Sequence, residues 1–376
     1  MTPRLVKIRP KTRKKVALKT AKPSRKPLGG DRNPLGTDGF EFVEYAAPAL
    51  PALNTLFEKM GFSAVARHRS KDVTLSRQGD INFILNHEPH SFAQSFARVH
   101  GPSVCAFAIR VKDAAHALQR AASLGAKVYR GKVGPMELNI PAIRGIGGSL
   151  IYLVDRYGDR SIYDVDFVPR GYILPQVTGV GLSHIDHLTH NVHRGRMDQW
   201  VEFYQRLFNF REIRYFNIRG QKTALKSRAL VSPCDKIRIP INEPVDRRSQ
   251  VQEYLEAYHG EGIQHIALGT GDIYVTVEKL RRRGVEFLDA AQDYYDRLDE
   301  RFPSHGEDRG RLARNHILMD GGPDSGVLLQ IFTKAVIGPI FFEMIQRKGN
   351  EGFGERNFQA LFETMEKDQM ARGVLR

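Results

Sequence analysis

Four histidines stand at every third position of the stretch Ser183–His193, SHIDHLTHNVH: His184, His187, His190 and His193. Imidazole is a common ligand of transition metals, so metal binding is the first chemistry to weigh. On a helix, steps of three would keep His184 near His187 and His187 near His190. On a strand the period is two, which puts His184 and His190 on one side and His187 and His193 on the other. Ile185, Leu188, Thr189 and Val192 are strand formers, and Gly179, Gly181 and Ser183 before them are turn residues. One strand cannot supply a whole metal site from these four. Most of them are therefore expected to be solvated or hydrogen-bonded surface histidines, and a true ligand among them must find partners far along the chain.

The elements that could bring such partners together emerge from an internal repeat. Gly101–Asp113, GPSVCAFAIRVKD, aligns with Gly260–Asp272, GEGIQHIALGTGD: an opening glycine, a strand of like polarity and a closing aspartate. Each stretch runs on into a helix and a glycine-marked strand. Upstream, Gly39–His68 parallels His184–Phe216 as strand, loop, amphipathic helix, aromatic turn and strand; downstream, Leu150–Gly158 parallels Ile340–Gly349. Each half thus repeats a β-α-β-β-β rhythm, and units of this kind bury a sheet face only by closing against one another. The expected fold is α+β, with two open barrel-like domains each built from paired βαβββ modules. The boundaries read as a basic tail over 1–36, a non-catalytic domain over 37–170, a linker over 171–181 and a catalytic domain over 182–376.

The duplication acts as an internal control on the histidines. In the alignment His187 falls opposite Phe42, His265 opposite Ala106 and Glu343 opposite Tyr152. The second half carries two imidazoles and a carboxylate where the first half carries inert residues. Two histidines and one carboxylate suit a non-haem Fe(II) with open coordination positions. Glu343 lies in the apolar run Pro339–Ile345, where an unpaired carboxylate would cost several kcal/mol and a cation would remove the penalty.

Composition narrows the setting. The chain has 376 residues, 41% of them hydrophobic, enough for two cores, and no run of membrane-spanning length. Its two cysteines fit a reducing, intracellular compartment, and the expected location is the cytoplasm. The formal net charge is +15, but residues 1–36 hold twelve Lys or Arg against Asp31, a net +11 that leaves +4 for the rest. That proline-punctuated tail reads as disordered and is expected to bind anions, nucleic acid included, only nonspecifically.

Five stretches of the second half, IDHLTHNV, GIQHIAL, LLQIF (Leu328–Phe332), FFEMIQRKG and GFGERNFQALFE (Gly352–Glu363), closely resemble the 4-hydroxyphenylpyruvate dioxygenase family of the vicinal-oxygen-chelate superfamily. The likeness continues in the first half through NPLGTDGFEFVEYA, HRSKDVTLSRQGDINFILN and GPMELNIPAIRGIGG, so it runs from about Asn33 to the C-terminus. It implies an enzyme of tyrosine and phenylalanine catabolism that converts 4-hydroxyphenylpyruvate and O₂ to homogentisate and CO₂. The substrate's own 2-oxo acid would chelate one Fe(II) per chain and be oxidatively decarboxylated. Ring hydroxylation with migration of the side chain would follow. By motif, His187, His265 and Glu343 match the family's iron ligands.

The same resemblance assigns Ser227, Asn242, Gln250, Gln264 and Gln330 to a polar pocket that orients substrate, and Phe332, Phe353, Phe358 and Asn357 to its wall. Phe358, Leu361, Phe362 and Met365 fall at helical spacing behind Asn357, a candidate N-cap, which predicts a lid helix over about 356–375. Family members are commonly homodimers or homotetramers. Two rivals share the modules. Hydroxymandelate synthase uses the same substrate and differs in product, while an extradiol catechol dioxygenase fits less well with the pocket glutamines.

Overall fold

The computed structural model describes residues 32–48, 51–134, 136–171, 179–303, 305–322 and 325–375. Most of the basic tail and of the linker lie outside them. Residues 32–36, expected to belong to the tail, are packed: Leu35 is 2% exposed and its carbonyl accepts the Lys112 amide, so the folded chain is under way by Arg32.

The first half builds β1 Phe40–Ala46, β2 Ser63–His68, β3 Val73–Gln78, β4 Ile81–Asn86, β5 Ser103–Arg110, β6 Val128–Tyr129, β7 Ala142–Arg144, β8 Leu150–Val154 and β9 Phe167–Pro169. The second builds β10 Leu182–Asn191, β11 Arg211–Arg219, β12 Ala224–Val231, β13 Arg238–Pro244, β14 Gly262–Thr270, β15 Leu318–Gly322, β16 Gly326–Phe332 and β17 Phe341–Lys348. The strand orders are β6-β7-β8-β5-β1-β4-β3-β2-β9 and β11-β12-β13-β10-β14-β17-β16-β15. Apart from β9 the two curled mixed sheets have the same order, read from opposite ends. Each contains two βαβββ modules that meet along the central antiparallel pair, β1 with β5 and β10 with β14.

Local chemistry repeats with the topology. The aspartates that close the aligned segments, Asp113 and Asp272, cap the helices Ala114–Ser123 and Ile273–Arg282 by accepting the His116 and Val275 amides. β1 and β14 are buried along their whole length, as expected of strands covered on both faces. One apolar core runs through both halves. Phe83 of β4 stacks on Phe342 of β17 with ring centroids 6.0 Å apart, and Phe107 of β5 meets His190 of β10 edge-on at 6.0 Å.

Pairing registers fix the correspondence between halves residue by residue. Phe42 pairs with Ala108, which pairs with Tyr152; His187 pairs with Ala267, which pairs with Glu343. Glu44 pairs with Ala106, and Thr189 with His265. The alignment read from the sequence and the register agree at all three positions of the histidine and glutamate set.

Candidate metal centre

Three adjacent central strands aim one side chain each at a common point. His187 comes from β10, His265 from β14 and Glu343 from β17, and all three are buried. His187 Nε2 lies 3.3 Å from His265 Nε2, and Glu343 Oε2 lies 3.2 Å and 3.4 Å from the two. Among the described residues they are the group of His, Cys, Asp or Glu whose ligand atoms fall within 4.8 Å of one another. Donors that each bond one cation at about 2.1 Å take separations of this size.

The surroundings hold the imidazoles ready. Nδ1 of His187 donates to Asp186 at 2.8 Å and Nδ1 of His265 donates to Gln264 Oε1 at 3.1 Å, which turns both Nε2 atoms toward the centre. Asp186 is gripped in turn by Arg347, whose Nε and Nη2 donate to its two oxygens at 2.7 Å and 2.8 Å. Burial opposes the charge on Asp186, but Arg347 and His187 outweigh it and hold the carboxyl well below its usual range. Burial likewise opposes the charge on His187, and Glu343 and Asp186 lift it to about 9. Glu343, despite its burial, is held at about 2 by the two imidazoles. A buried carboxylate that keeps its charge against two imidazoles is a site built for positive charge.

Above the triad lies a pocket of about 30 Å³, lined among others by Thr189, Ser227, Asn242, Gln330, Phe332, Phe353 and Phe358. The Oγ atoms of Ser227 and Thr189 and Oδ1 of Asn242 are buried without a hydrogen-bond partner. Such orphaned atoms in a small pocket are the mark of a site shaped for a polar ligand. Gln250 and Gln264 fall instead on a neighbouring cavity of about 420 Å³, between β14, β17 and the C-terminal helix. Gln264 still touches the pocket, because its Oε1 accepts from Asn242 at 3.3 Å.

The C-terminal helix spans Glu355–Ala371 and covers the pocket with Phe358 and Leu361. Its N-cap is Gly354 rather than Asn357. Gly354 has φ +69° and a Cβ there would sit 2.0 Å from Gln330 Oε1, so only glycine fits. Asn357 is fully buried one turn in and donates to Gln330 Oε1 at 2.8 Å, while Gln330 donates to Glu343 at 2.8 Å. Helix and Glu343 are thus two hydrogen bonds apart. Farther along, the buried Glu366 accepts from the Gln221, Lys222 and Thr223 amides and from Thr223 Oγ1, in the turn between β11 and β12.

Of the four histidines, His187 alone reaches the triad. His184 and His193 are exposed, but His190, expected at the surface, is 1% exposed because the first sheet covers that face of β10 through Phe107. Sequence reasoning missed Thr189, Phe216 and Pro240 of the pocket, and Phe341, stacked on His265 at 4.9 Å. Thr189 had a signal, since it shares the strand face of His187. It also missed the Asp186–Arg347 pair, whose members are 161 residues apart.

Comparison with known proteins agrees with this geometry. The pattern described as "Hydroxyphenylpyruvate dioxygenase, HPPD, N-terminal" matches residues 32–168, and that of the Glyoxalase/Bleomycin resistance protein/Dioxygenase superfamily matches residues 184–303. A 4-hydroxyphenylpyruvate dioxygenase of Pseudomonas aeruginosa is 58% identical over 91% of this chain and 97% of its own. The chain belongs to the hydroxyphenylpyruvate dioxygenase family. Hemolysin VllY of Vibrio vulnificus is 60% identical over 91% of this chain and 98% of its own. A solved xylose isomerase-like TIM barrel/4-hydroxyphenylpyruvate dioxygenase fusion protein superposes with a TM-score of 0.77 at 37% identity, over 91% of this chain and 55% of that one. The family likeness reaches across both barrels, including the one without the triad.

Proposed function

We propose that this chain is an Fe(II)-dependent dioxygenase that converts 4-hydroxyphenylpyruvate and O₂ to homogentisate and CO₂. The observation that carries the reading is the buried His187, His265 and Glu343 set lying in one pocket with orphaned polar atoms. When bound there, iron supplies open positions for chelating a 2-oxo acid and for activating O₂. His187, His265 and Glu343 hold it, with Asp186 and Gln264 fixing the rings.

The remaining residues bind and shield the substrate. Ser227, Asn242 and Gln264 offer hydrogen bonds to its polar ends, and Gln250 extends that polar lining into the adjoining cavity. Gln330 orients Glu343 and reports the position of the helix through Asn357. Phe332, Phe353 and Phe358 pack against the aromatic ring and exclude water that would quench the oxidant. Phe358 and Leu361 of the helix Glu355–Ala371 line the pocket, so we read that helix as a lid that opens to admit substrate.

Residues 182–376 are the catalytic domain, 171–181 the linker and 37–170 a domain without iron chemistry. No described helix is long and apolar enough to cross a membrane. The reading places the enzyme in the cytoplasm as a homodimer or homotetramer acting on a small 2-oxo acid, and gives the basic tail no catalytic part.

The test is anaerobic Fe(II) loading followed by 4-hydroxyphenylpyruvate and O₂, with the product identified. Homogentisate from the parent chain and none from Glu343→Ala supports the reading; 4-hydroxymandelate or no turnover refutes it. Deleting residues 356–376 is expected to leave iron bound and to end productive turnover, and undiminished homogentisate from that chain would remove the lid from the mechanism.

A further inference from the structure

The first barrel holds a cavity of its own, of about 180 Å³, that the dioxygenase reading does not use. It sits where the metal pocket sits in the second barrel. Phe42 and Tyr152 take the strand positions of His187 and Glu343, and Glu44 takes that of Thr189. Asn86 takes that of Asn242, since Val73 pairs with Asn86 as Ser227 pairs with Asn242. The barrel has therefore kept its opening and changed what lines it.

The lining is aromatic around Glu44, with Asp166, whose Oδ1 accepts the Leu138 amide, and His68, Lys71 and Lys132 also on the wall. Phe42 and Tyr152 lie with ring centroids 5.5 Å apart, and Tyr129 and Phe167 add further ring surface. Glu44 is 6% exposed. Its Oε1 accepts from Asn86 Nδ2 at 2.6 Å, and among the described residues no other side chain donates to the carboxylate. Lys71, the cation whose field reaches it, is engaged by Glu137 at 2.6 Å. Burial lifts Glu44 to about 7, against the opposing pull of Asn86 and Lys71. A desolvated carboxylate with an open oxygen lacks a counter-charge, and aromatic faces beside it favour a cation attached to a ring.

We propose that the N-terminal barrel is a second ligand site, which binds a small arylalkylamine with its ammonium on Glu44 and its ring among Phe42, Tyr129, Tyr152 and Phe167. The assignment stands apart from the iron chemistry, because none of these residues touches the triad pocket. Tyramine serves as the probe, and 4-hydroxyphenylacetate, which has the same ring and the opposite charge, as its control.

Calorimetric titration of the full, Fe(II)-loaded chain is expected to show saturable tyramine binding that persists in Glu343→Ala. Glu44→Gln keeps the shape and loses the charge, and is expected to bind about 10- to 100-fold more weakly with turnover unchanged. Ile140→Trp fills the cavity while leaving the carboxylate in place, and is expected to abolish binding, so the test survives if Glu44→Gln does not fold. No binding to the parent, equal binding by Glu44→Gln, loss of binding in Glu343→Ala, or 4-hydroxyphenylacetate bound as tightly as tyramine would each overturn the assignment.

Discussion

In one barrel two aromatic rings face each other at the strand positions where, in the other, an imidazole nitrogen and a carboxylate oxygen stand 3.2 Å apart. The strand order, the pairing registers and even one asparagine, Asn86 against Asn242, are shared. What differs is what each asparagine donates to: a carboxylate in the first barrel, the amide oxygens of Asn191 and Gln264 in the second. Register decides where a side chain points, and the side chain alone decides whether chemistry follows. The scaffold is therefore indifferent to its activity, which resides in a few substituted positions.

The sharpest way to break that comparison is to exchange inert for reactive groups at matched positions. Glu343→Ala is expected to lower turnover by on the order of a thousandfold or more, as loss of a metal ligand should. The matched Tyr152→Phe is expected to change it less than about twofold. Steady-state rates and iron content check both, and a large effect at Tyr152 would end the idea of a catalytically silent barrel.

Next in size is an effect on stability confined to the first barrel. Glu44 titrates near 7 in the fold against 4.5 as its ordinary value, so the native state binds that proton more tightly than the unfolded chain does. The penalty for ionising it is absent below 4.5, grows as pH rises toward 7 and is constant above. A tenfold change in proton affinity corresponds to about 1.4 kcal/mol, so the penalty reaches at most the order of 3 kcal/mol. Glu44→Gln should recover much of this in urea unfolding at about pH 8 and progressively less toward about pH 5. An equal gain at both ends of that range would mean that the charge of Glu44 is not what costs stability.

Asp186→Asn should weaken metal binding by about 10- to 100-fold while the triad stays complete, measured by competition with a chelator. The smallest effect belongs to the contact that ties the C-terminal helix to the turn after β11. Glu366→Gln replaces a charged acceptor of four hydrogen bonds and should cost about 1–2 kcal/mol of helix docking, seen as faster amide exchange in Glu355–Ala371 with iron content unchanged. Unaltered exchange there would show that other contacts hold the helix.

The triad was legible in the sequence because duplication supplied a control: each ligand had a matched position where the same strand carried something inert. The C-terminal helix was legible from its apolar spacing. Its first turn was not, because Gly354 in a left-handed conformation starts the helix early and puts Asn357 inside it, where capping is impossible. The burial of His190 was hidden as well, because cover on the far face of β10 depends on how the two sheets meet, which periodicity does not encode. Asp186 with Arg347, and Glu366 with the turn after β11, are contacts across more than a hundred residues with no spacing rule to reveal them.

The stacking of Phe83 on Phe342 bears on what either barrel could do alone. Phe342 stands next to Glu343 on β17, and its ring is covered from the other barrel. Removing the first barrel would strip that apolar cover from the strand that carries Glu343. The second barrel therefore does not close its own core: part of the packing behind the triad is on loan from its neighbour.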